Sequence, residues 1–367
     1  MSRAARLRPA ARLSAFYAAI FLVAGVQLPF WPVWLGIRGL TASEIGIVLA
    51  VAIWAKVLAT PVIGAIADRS GAHRAVMGAL AASALVSYAA MTPITGFWVL
   101  VLLNLLALTT QSGLMPLGDT VTLAVARSDG FDYGRIRVWG SVSFILASLA
   151  SGAVLASCSE AAVLPLVLGA SALLLLACLA VPRHRRPTGS SYRFAEMRGF
   201  VSDRRFWVFV LGASALQASH QVYYGFGTLY WRALDFSATT IGLLWAEGVV
   251  AEILLFWQGQ RLLARFGPAG LMVVGGAAGI LRWSLSGLLT GLPFIAVLQL
   301  LHGLTFGASH LGAMHFLSRA APLSAAAGAQ SIYVAVSSGL GSGLVMVLAG
   351  ALYSGYGGRA YLFMAVL

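Results

Sequence analysis

The segment GAIADRSGAHR, residues 64–74, is a short polar interruption between two long apolar runs. Each run is long enough to cross a bilayer, because about 20 mostly apolar residues span its hydrocarbon core. Gly64 would allow two helices to approach closely, and Gly71 would allow a tight turn. Asp68 could hold cations or helix N-termini of a neighbouring element at the membrane surface. The segment therefore predicts a turn between two membrane-spanning helices, with a carboxylate available for a reversible contact.

Apolar windows of similar length recur along the chain, in which 60% of residues are hydrophobic and 10% are charged. A soluble domain could not stay soluble with so few charges on its surface. The twelfth window opens only a few residues before Leu367, so we expect an incomplete helix there. The windows lie at 13–37, 44–67, 74–92, 96–124, 136–157, 162–182, 206–231, 239–262, 270–290, 292–317, 328–354 and from near 360.

A polar stretch at 182–205 divides these windows into two groups of six. We therefore predict an all-α integral membrane protein made of two helix bundles. The N-terminal bundle would occupy residues 1–182 and the C-terminal bundle residues 205–367, joined by a cytoplasmic linker at 183–204. We expect the lipid bilayer as its surroundings and a monomer as its oligomeric state.

Positive charges lie mostly in the short loops, so we interpret the net charge of +13 as a determinant of topology and not as a nucleic-acid-binding surface. Nineteen arginines, or eighteen if Arg137 belongs inside the fifth helix, fall on the side of the N-terminal tail, against three on the opposite side: Arg38, Arg232 and Arg359. This bias predicts a cytoplasmic N-terminus in a cell inner (plasma) membrane. The tail shows no convincing cleavage site, which favours an uncleaved first helix.

Ionisable residues within the apolar windows are the best functional markers, because a charge at the bilayer centre costs at least ~2.5 kcal/mol. Lys56 lies twelve residues before Asp68, which places it ~18 Å from the cytoplasmic end of its helix. It could meet an anionic cargo, or it could pair structurally with Asp119, and the sequence does not choose between these roles. The other deep charges are Glu247, Glu252 and Arg282.

The seventh window carries polar residues at helical spacing. Gln217, His220, Gln221 and Tyr224 have offsets of three, four and seven, which would put them on one face of a helix. A polar stripe inside a spanning helix should line a cavity and bind substrate. Aromatic residues nearby could stack on a cargo ring, but those close to window ends are interpreted as an interfacial belt. The belt residues are Trp31, Trp34, Tyr230 and Trp231.

The loop at 64–74 resembles the signature loop of the major facilitator superfamily, G-x-x-x-D-R-x-G-x-x-[RK]. The residues at its positions are Gly64, Asp68, Arg69, Gly71 and Arg74. The resemblance implies a conformational latch that favours the outward-open state and must break during transport.

Further stretches resemble the phenylpropionate-transporter branch of that superfamily, which is a relative of the lactose permease group. The resemblance runs over nearly the whole chain and implies uptake of aromatic acids by proton symport. The stretches are PFWPVWL at 29–35, DYGRIRVWGS at 132–141, YYGFGTLYW at 223–231, GVVAEILLF at 248–256 and LQLLHGLTF at 298–306.

The lactose permease group also suggests roles for single residues. Its substrate-binding carboxylate and arginine, on the fourth and fifth helices, match Asp119 and Arg137. Its coupling residues on the eighth, ninth and tenth helices match Glu252, Arg282 and His302. One position departs from the pattern, because Thr305 stands where the group has its proton-carrying glutamate. If protons are used, another group must carry them.

These observations predict a secondary transporter for a small aromatic carboxylate, driven by a proton gradient and without a bound cofactor. Arg137 would clamp the acid with a bidentate fork, with Lys56 as the alternative point charge. Glu252 would take the proton, His302 could relay it and Arg282 would pair with ionised Glu252.

Other functions stay open. The cargo could instead be a sugar, a nucleoside or a drug, and a sensor without flux is compatible with the sequence. A membrane-embedded enzyme is less favoured, because no HExxH motif, Gly-x-Ser-x-Gly elbow or acidic metal cluster occurs. The histidines are irregularly spaced and do not predict a metal site.

Overall fold

The structure, a computed structural model, describes residues 3–182, 202–320 and 326–367. Most of the predicted linker at 183–204 therefore lies outside the described residues. The helices are α1 (Arg3–Ile37), α2 (Ala42–Ser70), α3 (His73–Ala90), α4 (Phe97–Ser112), α5 (Leu114–Asp129), α6 (Tyr133–Ser157), α7 (Val163–Ala180), α8 (Arg204–Ala218), α9 (Gln221–Ala233), α10 (Ala238–Trp257), α11 (Gly259–Leu288), α12 (Leu292–Leu300), α13 (Ser309–Ala320), α14 (Ala326–Val334), α15 (Ser342–Tyr356) and α16 (Ala360–Met364).

Every predicted window is mostly helical over its described residues, and no strand occurs in the described part of the chain. Within residues 3–182, 202–320 and 326–367, nine helical segments are long and apolar enough to cross a bilayer. They are Pro9–Ile37, Ala42–Ser70, Phe97–Ala126, Tyr133–Ser157, Glu160–Ala180, Ala238–Trp257, Gly259–Leu288, Leu292–Ala320 and Gly328–Met364. The third and seventh windows are also helical but fall outside this set.

Several windows are interrupted helices, which the hydropathy pattern did not predict. The fourth window is divided at Gly113 and the seventh at the turn Ser219–His220. The tenth and eleventh windows contain π-helical turns, Gly303–Ala308 and Ala335–Gly341. Such π turns inside α-helices are frequent at functional sites, because the extra residue per turn redirects the side chains around it.

The described residues fall into two compact units. Unit 1 contains the described residues of Met1–Leu40 and Ala55–Thr188, together with Ser237–Leu243. Unit 2 contains Thr41–Trp54 and the described residues of Gly189–Phe236 and Leu244–Leu367. Short pieces of α2 and α10 therefore pack with the unit that does not hold the rest of their helix.

In unit 1, α1 lies along α6 and is joined to it by serine side chains. The Ser143 hydroxyl donates to the carbonyl oxygen of Ala18 (2.7 Å), and the Ser148 hydroxyl donates to that of Gly25 (3.1 Å). Hydrogen bonds from hydroxyl groups commonly join helices in membranes. Lipid tails are as apolar as protein side chains, so burial of apolar surface does not by itself hold two helices together. They hold α1 and α6 in one rotational setting.

In unit 2, close backbone contacts hold the π turn of the tenth window against α10. A Cβ at Gly303 would lie 2.8 Å from the carbonyl oxygen of Ala251, and one at Gly248 would lie 3.3 Å from the His302 ring. A larger residue at Gly303 would push the two segments apart. The glycine therefore brings His302 within reach of Glu252 on α10.

Candidate functional site

A buried chain of polar side chains crosses the interior of unit 2. Its centre is Arg282 on α11, whose side chain is 1% exposed. Arg282 Nη1 donates to His302 Nδ1 (2.8 Å) and to Thr305 Oγ1 (3.0 Å), and Nη2 donates to Gln299 Oε1 (2.8 Å). His302 Nε2 lies 2.8 Å from Glu252 Oε1. The structure thus brings together Glu252, Arg282 and His302.

Donor and acceptor rules assign the tautomer of His302. A guanidinium can only donate, so His302 Nδ1 accepts with its lone pair, and the ring hydrogen lies on Nε2. That hydrogen is donated to Glu252. The imidazole is therefore a fixed connector between a cation and a carboxylate, with both ring nitrogens in use.

Aromatic rings enclose the guanidinium. The Cζ atom of Arg282 lies 4.7 Å from the ring centroid of Tyr223 and 4.5 Å from that of Trp283. Tyr223 in turn stacks on Trp245, with ring centroids 4.5 Å apart. Cations over aromatic faces are stabilised by the ring quadrupole. These rings exclude water, which strengthens the interaction of Arg282 with its acceptors.

The polar residues of the seventh window do not form the single cavity-lining stripe that the spacing predicts. His220 and Gln221 are buried in unit 2, at 2% and 3% exposure, whereas Gln217 and Tyr224 are half-buried. His220 Nε2 lies 3.2 Å from Thr305 Oγ1, so this histidine belongs to the buried chain. The turn at Ser219–His220 is the physical reason for the difference, since it interrupts the helix at the stripe.

Asp119, in unit 1, is held by two tyrosines. The hydroxyls of Tyr17 and Tyr133 both donate to Asp119 Oδ1, the second over 2.9 Å. Among the described residues, Asp119 has no ion pair with Arg137 or with Lys56, in contrast to the structural pair considered for Lys56. Phenolic hydroxyls therefore satisfy this carboxylate, and both cations are left for other partners.

Arg137 lies one turn inside α6 and is placed by aromatic contacts. Its Cζ atom is 4.1 Å from the Phe21 ring centroid and 5.4 Å from that of Tyr17. The side chain extends towards Gly140, where a Cβ would come within 2.8 Å of Nη1. No hydrogen bond joins the guanidinium to any side chain or carbonyl that the structure describes. Arg137 is therefore a positioned cation with unused donors.

Lys56 is the central residue of α2, fourteen residues from each end of Ala42–Ser70. Its side chain is half-buried and makes no hydrogen bond or ion pair within the described ranges. Glu247 on α10 is likewise half-buried and unpaired among those residues. An unpaired charge at this depth needs a counter-charge or water, so both residues are candidates for contact with cargo or solvent.

The aromatic residues assigned to an interfacial belt are interior residues. Trp31 and Trp34 in unit 1, and Trp231 in unit 2, are at most 3% exposed, and Tyr230 is 8% exposed. Trp31 stacks on Trp34 at 4.7 Å and donates to Asn104 Oδ1 over 2.9 Å. Their position near the ends of the apolar windows suggested an interfacial belt, but packing against other helices buries them.

The loop at 64–74 adopts the predicted turn, with Gly71 at φ +60° between α2 and α3. Asp68 lies 3.1 Å from Nε2 of His73, a buried residue of the same loop. Arg69 is exposed and Arg74 is half-buried. A Cβ at Gly64 would meet no atom within 4 Å, so the close helix approach predicted there is absent from the described structure.

Gln299 and Tyr17 are site residues that sequence reasoning missed. Gln299 precedes His302 by three residues, so helical spacing alone would have placed both on one face. Tyr17 is more than a hundred positions from Asp119 in the chain. No local pattern could have joined that pair.

The described residues form helices, several of them long and apolar enough to cross a bilayer, which defines a multi-pass membrane protein. Residues 10–365 match the MFS_1 like family, and the chain belongs to that family. Its relatives and its fold are those of transporters and not of enzymes.

Two relatives illustrate the range of this family. The chain is 32% identical to the "Probable 3-phenylpropionic acid transporter" of Escherichia coli (strain K12) over 365 residues, covering 96% of this chain and 93% of the relative. It is 27% identical to the maltose permease of Geobacillus stearothermophilus, covering 96% and 90%. The crystal structure of the nucleoside transporter NupG superimposes with a TM-score of 0.86 at 18% identity, covering 97% of this chain and 95% of that one.

Proposed function

We propose that this protein takes up a small aromatic monocarboxylate together with one proton, by alternating access. The relative at 32% identity, the "Probable 3-phenylpropionic acid transporter" of Escherichia coli (strain K12), supports the cargo class. The observation that carries the coupling is the buried connection from Glu252 through His302 to Arg282. A proton on Glu252 removes the negative end of that chain and leaves the charge of Arg282 without a counter-charge.

Charge counting supports a coupling of one proton to one anion. Among the described residues, the deep cations are Lys56, Arg137 and Arg282, and the deep carboxylates are Asp119, Glu247 and Glu252, so their formal charges balance. One proton with one monocarboxylate preserves that balance, whereas either alone leaves a net buried charge. A net charge inside the membrane is costly. The empty carrier and the carrier with both proton and anion therefore switch between the outward-open and inward-open states. A carrier that holds only the proton or only the anion does not.

The cargo carboxylate binds Arg137, whose donors are unused and whose fork matches two carboxylate oxygens. Lys56 adds a second positive charge for the anion. The half-buried Phe21 ring, against which Arg137 lies, offers an aromatic face for the cargo ring. Within unit 2, the role of Gln217, His220, Gln221 and Tyr224 in substrate binding stays a prediction from the sequence.

The signature loop serves as a latch in this cycle. Asp68 is held by His73 in the present structure, with Arg69 and Arg74 beside it at the surface. We place the N-terminus and this loop in the cytoplasm of an inner membrane, on the basis of the arginine bias. The carrier works as a monomer with an N-terminal and a C-terminal bundle.

Uptake into proteoliposomes tests the proposal. Labelled 3-phenylpropionate, maltose and uridine are offered separately, with and without an inward proton gradient. We expect saturable, gradient-driven uptake of 3-phenylpropionate alone. Uptake should not respond to an imposed membrane potential, because neither switching form carries net charge. Uptake of maltose or uridine in its place would contradict the cargo class, and binding without counterflow would indicate a sensor.

Replacement of Arg137 by Lys tests the anion clamp. Arg137→Lys keeps the charge but cannot form a bidentate pair with a carboxylate. The loss of one charge-assisted bond should raise the concentration of 3-phenylpropionate at half-maximal counterflow by about tenfold or more. Arg135→Lys, an exposed position on the first turn of the same helix, is the matched control and should leave half-saturation unchanged. Equal half-saturation in both variants would exclude Arg137 as the clamp.

A further inference from the structure

Thr305 and His220 lie in the buried chain of unit 2, yet neither touches Glu252. We infer that they are positioning residues that set the proton affinity of Glu252, because His220 turns the Thr305 hydroxyl so that its oxygen accepts from Arg282 and shares that cation with His302 and Glu252. The inference rests on the proposed function only in taking Glu252 as the proton site.

The series of hydrogen-bonded side chains has one end at His220, which is 2% exposed. Its Nδ1 lies 2.9 Å from the carbonyl oxygen of Leu216, which can only accept, so the ring hydrogen is on Nδ1. Nε2 therefore presents a lone pair to Thr305 Oγ1 at 3.2 Å. The Thr305 hydroxyl donates to it, which turns the lone pairs of the hydroxyl oxygen towards Arg282.

Arg282 then uses both hydrogens of one terminal nitrogen. Nη1 donates one to Thr305 Oγ1 at 3.0 Å and the other to His302 Nδ1 at 2.8 Å. His302, which accepts from Arg282 at Nδ1, donates its Nε2–H to Glu252. The guanidinium only donates, so the hydrogen bonds run outward from Arg282, on one side to Thr305 and on the other through His302 to Glu252.

The π turn makes this geometry possible. His302 immediately precedes Gly303–Ala308, and Thr305 lies inside it, so both side chains reach the same nitrogen of Arg282. Thr305 also has a weaker acceptor, the carbonyl oxygen of His302 at 3.5 Å. His220 holds the hydroxyl away from that alternative.

Loss of the Thr305 oxygen has a defined electrostatic consequence. Arg282 would keep its charge but lose one acceptor, so its field would act more strongly on Glu252 through His302. An ionised Glu252 would be favoured, and its proton would bind only at lower pH. The charged and titratable groups within electrostatic reach of Glu252 are His302, Arg282, His310, Tyr223 and Tyr224.

Infrared difference spectroscopy of the protein in liposomes, without cargo, measures this effect directly. The carboxylic C=O band that disappears in Glu252→Gln reports the protonation of Glu252. We expect Thr305→Val to lower the titration midpoint of that band by about one pH unit, the size expected for one hydrogen bond to a charged group. Thr305→Ser, which restores the hydroxyl, should titrate as the wild type does.

Ser309→Ala is the matched control, because the Ser309 hydroxyl is buried and has no hydrogen-bond partner among the described residues. It should leave the midpoint unchanged. If Thr305→Val does not fold, His220→Leu should shift the midpoint in the same direction by releasing the hydroxyl.

Three results would overturn the inference: a wild-type midpoint in Thr305→Val and His220→Leu, an equal shift in Ser309→Ala, or a band that does not titrate. The proposed function fails separately, if Glu252→Gln protein still accumulates cargo against a gradient.

Discussion

Glu252→Gln protein should lose proton-driven accumulation of 3-phenylpropionate while it retains counterflow. Glutamine has nearly the shape of protonated glutamate, so the variant resembles a carrier whose proton site is permanently occupied. It can exchange one anion for another across the membrane, but it cannot release a proton to complete the net cycle. Transport then becomes insensitive to the gradient, although the cargo site is intact.

The expected magnitude follows from the coupling. A gradient of one pH unit is worth about 1.4 kcal/mol, which corresponds to about tenfold accumulation at one proton per anion. Wild-type proteoliposomes should approach that ratio, and Glu252→Gln proteoliposomes should reach a ratio of about one. Labelled 3-phenylpropionate inside the vesicles, measured at steady state, gives both numbers.

Glu44→Gln supplies the control for this experiment. Glu44 is a carboxylate at the exposed start of α2, where it caps the helix by accepting from Thr41. Glutamine can occupy the same capping position, so the fold should be kept. The control should accumulate cargo as the wild type does. Accumulation by Glu252→Gln protein at the wild-type level would remove Glu252 from the coupling mechanism.

Arg282→Met should produce the largest loss of stability among the single substitutions considered. Methionine fills part of the space but leaves Gln299 and Thr305 without their donor and Glu252 without its cation. Breaking a buried charge pair from one side typically costs ~3–5 kcal/mol, because the remaining charge is uncompensated. The free energy of unfolding in detergent micelles, from denaturant titration, measures the loss.

Two companion variants make the result interpretable. Arg261→Met makes the same substitution at the exposed start of α11, where the arginine bonds Gln258 at 3.1 Å, and should cost less than about 1 kcal/mol. Arg282→Met combined with Glu252→Gln should be less damaging than the sum of the two, because the neutral amide needs no cation. Equal losses at Arg261 and Arg282 would show that the buried chain contributes little to stability.

Hydropathy and charge predicted most of the architecture. The apolar windows located every described helix, and Gly71 was correctly assigned to the turn of the signature loop. Hydropathy could not predict the interruptions at Gly113 and in the two π turns, because each keeps the same apolar composition as an unbroken helix. The interruptions depend on packing against neighbouring helices, which a sliding window does not sense.

The sequence predicted which residues belong to the candidate site but not which of them are in contact. Deep charges such as Arg282 and Glu252 stand out in any apolar sequence, and their intramembrane position alone made them candidates for a functional site. Their connection through His302 was suggested only by resemblance to a known group. The tyrosines that hold Asp119 were not expected, since a phenol in an apolar window is indistinguishable from a packing residue.

The amino-acid sequence by itself determined where the chain enters the membrane and which charges it carries there, because the cost of burying polar groups acts on each segment separately. Only the tertiary structure decided which charges meet. That choice depends on the rotation of each helix about its axis and on close contacts such as Gly303 against Ala251. In unit 2 these contacts bring His302 to Arg282 and Glu252.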